Sequence, residues 1–415
     1  MTAPSPDISD LHDEQIVALL RTGAHAVLLG AYFGDVAYRE LSHLARLAAI
    51  RRDERGQRVF ILPGIMGSRL ADVGTTPVGL VWLHPGAVGA GSLSSLALPG
   101  SPSLRAVGIM LPGYLKLKLS LEIAGFRPVF HPFDWRRDLV ELGREFLQAV
   151  EQCADRKVLV VAHSMGGLVA RAAMAQDSHD RIERLVQLGA PNHGSYAPLL
   201  ALRAVYPTVR KIAALDQHHT AEELARDVFR TLPGLYELLP EPLFDPASWP
   251  RDALVPQPSL LARSRQSRSH LADADERCLL IAGTSQETVV AADVHDEEFA
   301  FTVRRDGDGT VPLPLARWRG ARTWFVAENH GALTQNNTVL AAVDELLRQG
   351  DTRRLPDRAP KADQSGERRV LESELRRQAV HKVRWDELSL DSRRRILDPV
   401  LTPEFLGVNK TTDVT

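Results

Sequence analysis

One stretch constrains the fold of this chain more than any other: Lys157-Val158-Leu159-Val160-Val161-Ala162-His163-Ser164-Met165-Gly166-Gly167-Leu168-Val169-Ala170-Arg171. An apolar run rich in β-branched Val enters a tight segment of small residues, and a helix-forming run follows at once. That is a strand, a sharp turn and a helix, with Ser164 at the apex. So tight a turn needs small residues two places either side of the apex, and Ala162 and Gly166 stand there. An ordinary strand-to-helix turn has no such need at both places. The pattern therefore reads as a nucleophile elbow, which lifts a serine hydroxyl above the end of a sheet.

Strands alternate with helices through the middle of the chain, which predicts a mostly parallel α/β sheet. Strands are expected at Arg58 to Leu62, Pro128 to Phe133, the elbow, Ile182 to Leu188, Arg277 to Ala282 and Arg322 to Ala327. Helices are expected at Tyr114 to Ala124, Leu139 to Gln152 and Thr338 to Arg348. From Tyr196 to about Glu276 the strand rhythm stops. Helical segments with Pro-rich joints, Pro198 to Leu215 and Ala221 to Leu232 among them, predict a cap (196–276) inserted between core strands. Glu287 to Arg305 suits a hairpin, and Val73 to Leu104, rich in Gly, Ser and Pro, reads as a long loop carrying Trp82. Residues 1–57 read as a helical extension, with Leu11 to Ile50 broken at Gly23, Gly30 and Gly34. The core then spans 58–350, a polar linker 351–366, and a helical tail 367–415 with charged amphipathic helices at Glu367 to Val383 and Ser389 to Leu397.

The 415 residues suffice for a large α/β core with additions. A net charge of −2 supplies no basic field for nucleic acid. Cys153 and Cys278 give no disulfide framework and suit a reducing, cytoplasmic setting. Met1 to Glu14 lacks the basic and apolar regions of a secretory signal. Ile16 to Phe33, interrupted by Arg21 and His25, is too short and polar to span a membrane. No His/Cys cluster or dinucleotide fingerprint implies a metal or organic cofactor.

A serine hydroxyl needs a base to take its proton, and the base needs an acid to fix its tautomer. In α/β-hydrolases these follow the serine in the order acid, then His. Asp308, in the turn Asp306-Gly307-Asp308-Gly309-Thr310-Val311-Pro312, and His330, just after the last strand, supply that order. Asp306 competes with Asp308. A calcium loop would want further oxygen ligands at alternating positions, which Thr310-Val311-Pro312 does not offer. His163 adjoins the serine and cannot swing round to its Oγ, so it is a structural or pocket-lining residue. Two backbone N–H groups must face the developing oxyanion. Met165 follows the nucleophile, and the Pro63-Gly64-Ile65-Met66-Gly67 loop after the first strand offers Ile65. Gly64, Met66, Trp82, His163, Pro191 and Asn192 are the expected substrate contacts. The cap and the loop around Trp82 would cover an acyl groove, and exposed Leu and Trp there would touch a membrane surface transiently. Arg263 to Arg268 and Arg393 to Arg395 read as solvated faces.

Six motifs, in order, resemble those of lecithin:cholesterol acyltransferase-like α/β-hydrolases, a group that includes lysosomal phospholipase A2 and the phospholipid:diacylglycerol acyltransferases. They are Leu62-Pro63-Gly64-Ile65-Met66-Gly67-Ser68, Phe133-Asp134-Trp135-Arg136, Ala162-His163-Ser164-Met165-Gly166-Gly167, Gly189-Ala190-Pro191-Asn192-His193-Gly194-Ser195, Leu232-Pro233 with Leu238-Leu239-Pro240, and Gly307-Asp308-Gly309-Thr310-Val311-Pro312. The resemblance covers Arg58 to Arg348. It implies an α/β-hydrolase fold, Asp308 rather than Asp306 as the acid, His330 as the base, and Ile65 and Met165 as oxyanion donors. It also implies an acyl-serine intermediate that passes its acyl group to water or to an alcohol. No cysteine pair pins a lid, and the terminal extensions lie outside the resemblance, which suggests a bacterial, cytoplasmic branch with terminal helices free to meet a protein partner. A lipid esterase, an acyltransferase and a non-catalytic binding module on the same scaffold are the three readings. A missing triad member would favour the last, and none is missing.

Overall fold

The computed structural model describes residues 11–76, 78–361, 366–378 and 380–389. Its strands in chain order are β1 (Arg58–Leu62), β2 (Ser68–Asp72), β3 (Gly79–Trp82), β4 (Leu104–Ile109), β5 (Arg127–Phe130), β6 (Val158–His163), β7 (Ile182–Leu188), β8 (Cys278–Gly283), β9 (Thr288–His295), β10 (Glu298–Arg304), β11 (Arg322–Val326) and β12 (Arg368–Leu371). Six of them form one parallel sheet in the order β11-β8-β7-β6-β1-β5. The chain runs from β1 to the β5 edge, returns to the other side of β1 as β6, and then steps outward through β7, β8 and β11. The direction of winding reverses between β1 and β6, and in open α/β sheets ligands bind beyond the strand ends at such a point. This is an α/β-hydrolase fold.

The alternation of side chains along β1 and β6 builds two cores, one on each face. Phe60, Leu62, Val158, Val160 and Ala162 pack against the helices Leu139–Gln152 and Met165–Met174 and against the cap. Val59, Ile61, Leu159 and Val161 pack on the other face against Leu111–Ile123, Asn337–Gln349 and the N-terminal helices. Both faces are covered, which is why these strands read as continuous apolar runs. The N-terminal segment folds as Asp13–Thr22, Ala26–Phe33 and Asp35–Arg51. Gly23 and Gly34 end helices, but Gly30 lies buried inside the second one and does not break it. Among the described residues no single helix is long and apolar enough to cross a membrane.

The region 196–276 is helical, in short pieces from Ala197–Leu202 to Pro258–Ser269. The expected helix from Pro198 to Leu215 is two, because the chain leaves helical geometry at Ala204 (φ 62) before Pro207 starts the next. Three further expectations need correction. Val73 to Leu104 is not a loop. β2, β3 and β4 form a small antiparallel sheet, with a helix at Pro85–Gly89, and Trp82 is wholly buried against Trp135 rather than exposed. Trp249 in the cap is buried as well, so neither Trp offers a membrane contact. Glu367 to Val383 is not one helix: β12 pairs with the exposed edge of β10, and only Glu372–Arg377 is helical. The linker packs against the sheet, where Pro356 accepts from Phe325 N–H and Thr352 from the Trp324 indole. The expected helix at Ser389 to Leu397 and the Arg393 to Arg395 patch lie outside the described residues, apart from Ser389.

Candidate active site

Ser164 stands between β6 and the helix Met165–Met174, with φ 54 and ψ −126. A non-glycine residue there costs of order 1–3 kcal/mol, and such strain persists only where the surroundings impose it. Serine at a helix N-cap normally spends its hydroxyl on the first turn's amides. Ser164 makes no such bond, so the hydroxyl is left for other work. The turn closes because Gly166 has no side chain: a Cβ there would lie 2.4 Å from the Pro63 carbonyl oxygen.

His330 follows β11 and is buried. Its Nδ1 lies 2.7 Å from Asp308 Oδ2. A carboxylate only accepts, so in the neutral ring the proton sits on Nδ1 and Nε2 keeps a free lone pair. Asp308 is itself fixed, its Oδ1 accepting from Thr310 N–H at 3.0 Å and Val311 N–H at 2.7 Å. The backbone adds a third tie, His330 N–H to Asp308 O at 2.8 Å. Asp306 faces elsewhere, 4.0 Å from Arg304. Gly189, at the end of β7, makes room for the pair: its φ is +59, and a Cβ would lie 3.0 Å from Asp308 Oδ2 and 3.1 Å from His330 Nδ1.

Ser164 and His330 line one cavity of about 100 Å³ with Ile65, Met66, Trp82 and Leu235. The lining is mostly apolar and comes from the β1 loop, the small sheet and the cap. On the β1 loop, Gly64 N–H donates to Tyr114 Oη at 2.8 Å and Gly67 N–H to Gly64 O at 3.1 Å. Among the described residues the N–H groups of Ile65 and Met66 find no protein acceptor. Met165, the first residue of its helix, has no intrahelical partner for its N–H either. Gly64, Met66, Trp82, His163 and Pro191 all line the cavity, as a substrate contact must. Trp82, however, spends its indole N–H on Met66 O at 2.8 Å, and both nitrogens of His163 are engaged, so these two offer substrate only ring surface.

Asn192 is a correction. It is buried away from the cavity, donating to Gln187 Oε1 and Ala316 O and accepting from Arg171. The turn after β7 directs it into the protein, where it ties three segments together. Tyr114, at the start of its helix, lines the cavity and bonds to both Gly64 and His163, and the sequence did not mark it. Among the described residues no cluster of His, Cys, Asp and Glu could hold a metal ion.

A family model described as a PGAP1-like alpha/beta domain matches residues 142–231, which hold the elbow and the start of the cap. No curated protein sequence matches. Solved structures that match include the Bacillus licheniformis lipase BlEst2 in propeptide form, at 16% identity and TM-score 0.39, over 71% of this chain and 51% of that one. The chain thus spans about half the length of that form. The mature form matches at 16% identity and TM-score 0.37, over 71% of this chain and 94% of that one. The Tle4-Tli4 complex matches at 13% identity and TM-score 0.41, over 72% and 100%.

Proposed function

We propose that this α/β-hydrolase-fold chain is a serine hydrolase that cleaves carboxylic esters, with lipid or phospholipid esters as the substrate class. Ser164 Oγ attacks the ester carbonyl and its proton passes to His330 Nε2. The oxyanion is met by the N–H groups of Ile65 and Met165. The alcohol leaves with the proton from Nε2, and water, activated by the same nitrogen, releases the acid from Ser164. Asp308 fixes the His330 tautomer and offsets the charge the ring gains. The observation that carries the reading is Ser164 itself. Its hydroxyl is withheld from the helix it caps and set in the cavity that the Asp308-bound His330 also lines.

The apolar lining supports an acyl chain as the bound part of the substrate, and five of the six motifs shared with lecithin:cholesterol acyltransferase-like enzymes include residues that line the cavity. The free thiols of Cys153 and Cys278, neither in a disulfide, support a cytoplasmic setting. Incubation with mixed phospholipids and neutral glycerides, followed by lipid profiling, tests the substrate class. Release of free fatty acid from either is expected. Lipids unchanged by a protein that turns over p-nitrophenyl esters would remove lipid from the proposal and leave a small-ester hydrolase.

A further inference from the structure

We infer that Tyr114 and His163 are positioning residues: a buried hydrogen-bond chain through them couples the oxyanion loop at Gly64 to the backbone of His330, so that the two sides of the reaction centre keep one register. This rests on the functional reading above and adds to it the means by which the base and the oxyanion donors are held together.

The direction of every bond in the chain follows from its two ends. Gly64 N–H can only donate, and it lies 2.8 Å from Tyr114 Oη. The phenol oxygen therefore accepts there and donates its own hydrogen onward, 2.9 Å to His163 Nδ1. An accepting Nδ1 carries no proton, so the hydrogen of the neutral ring is on Nε2. That nitrogen lies 3.0 Å from the His330 carbonyl oxygen, which can only accept. Reversing any member would set two donors or two acceptors face to face. The chain admits one tautomer of His163 and one rotamer of the Tyr114 hydroxyl.

The chain needs a neutral His163. Burial first, and then the neighbouring His330, with ring centroids 4.7 Å apart, hold the ring's pKa down to about 3. His330 is then gripped on both sides of its backbone, its N–H by the Asp308 carbonyl and its own carbonyl by His163. The loop that carries Ile65 is gripped one residue away, at Gly64. Packing alone would not call for these groups. Tyr114 meets the His163 ring edge-on at 5.7 Å, and a Phe would make the same contact without the two bonds. The neighbour of the nucleophile, which cannot reach Oγ, thus acts on the base through the base's own backbone.

The test uses the full chain, p-nitrophenyl butyrate as substrate, and four variants, Tyr114→Phe, His163→Leu, His163→Gln and the Tyr114→Phe/His163→Leu double. A small displacement of reacting groups costs roughly 10- to 100-fold in rate. A kcat loss of that order is expected for Tyr114→Phe and for His163→Leu, with KM within about twofold of wild type. The double variant should be no slower than the slower single one, because a chain broken once is already uncoupled. His163→Gln should recover most of the loss, since its amide offers an N–H to the His330 carbonyl and a carbonyl oxygen to the Tyr114 hydroxyl, the two bonds that His163 makes. A Tyr114→Phe enzyme with kcat within about twofold of wild type overturns the proposal. So does a loss confined to KM, or a Gln no better than Leu. Should the His163 variants fail to fold, Tyr114→Phe, which removes one oxygen, decides alone. Ser164→Ala separates the two claims. If it keeps wild-type turnover, the catalytic reading falls and takes this proposal with it. If it is inactive while Tyr114→Phe matches wild type, only the coupling fails.

Discussion

The contacts of Asp308 and Gly189 divide the work of holding one imidazole. Asp308 Oδ2 fixes the tautomer, and Gly189 leaves the space in which the pair can meet. Asp308→Asn should reduce turnover by about 10⁴-fold, because an amide can donate to Nδ1 and so favour the wrong tautomer. Asp306→Asn should change it little, its side chain facing Arg304. Steady-state kinetics on both variants checks this, and the reverse result would assign the acid to Asp306. Gly189→Ala puts a methyl about 3 Å from both members of the pair at a positive φ. It should cut kcat severely in a protein whose circular dichroism is unchanged. Ser164, Asp308 and His330 could be proposed from the sequence because each stands in a turn that follows a strand run. Asn192 was misread because a turn's sequence does not say which way a side chain points. Tyr114 was invisible because its partners lie 50 and 49 residues away.

At the scale of elements, long apolar runs were legible and short amphipathic ones were not. β2, β3 and β4 carry bulged pairings and sit among Gly and Ser, so no alternation marks them. The tail has helical spacing, yet β12 is a strand because the edge of β10 offers a ladder of unpaired backbone groups. That strand delivers Glu372 into the protein, where it meets Arg203. Arg203 in turn grips Asp252. The tail is thereby fastened to two segments of the cap, and the Lys382 ammonium adds a bond to the carbonyl of Ala213 at 2.9 Å. Glu372 is as buried as Arg203, whereas Asp252 is 41% exposed. Glu372→Gln leaves a buried guanidinium short of charge and should cost about 3–5 kcal/mol in chemical denaturation. Asp252→Asn should cost well under half of that, because water screens the exposed partner. Equal losses would show that the tail does not fasten the cap through Glu372.

Across the whole molecule, one buried acid links stability to pH. Glu237, in the cap, accepts from Leu139 N–H at 2.7 Å through Oε2. Among the described residues Oε1 meets no donor, and the neighbouring Asp138 carboxylate is satisfied by Arg263, Ser267 and the first turn of its helix. Burial first, and then the Asp138 charge, hold the Glu237 carboxyl well above the ordinary 4.5. The folded chain thus keeps a proton that the unfolded chain releases near that value. The contribution is fully present below about pH 4.5 and is lost as pH rises through the raised pKa. Glu237→Gln, which keeps the shape of the protonated acid, should flatten this fall. Denaturation midpoints of both proteins across the range check it, and parallel pH profiles would remove Glu237 as the cause. The sequence showed the parallel sheet and the inserted cap, but not this seam between them, because burial of a Glu depends on neighbours brought in by the fold.

All of this converges on the hydroxyl of Ser164. The most direct measurement is p-nitrophenyl ester turnover by wild type and Ser164→Ala, with mass spectrometry of the wild-type protein after fluorophosphonate treatment. The account predicts turnover by wild type, its loss in the variant, and a single adduct on the peptide carrying Ser164. Equal activity of the two proteins, or an adduct on another residue, would contradict it.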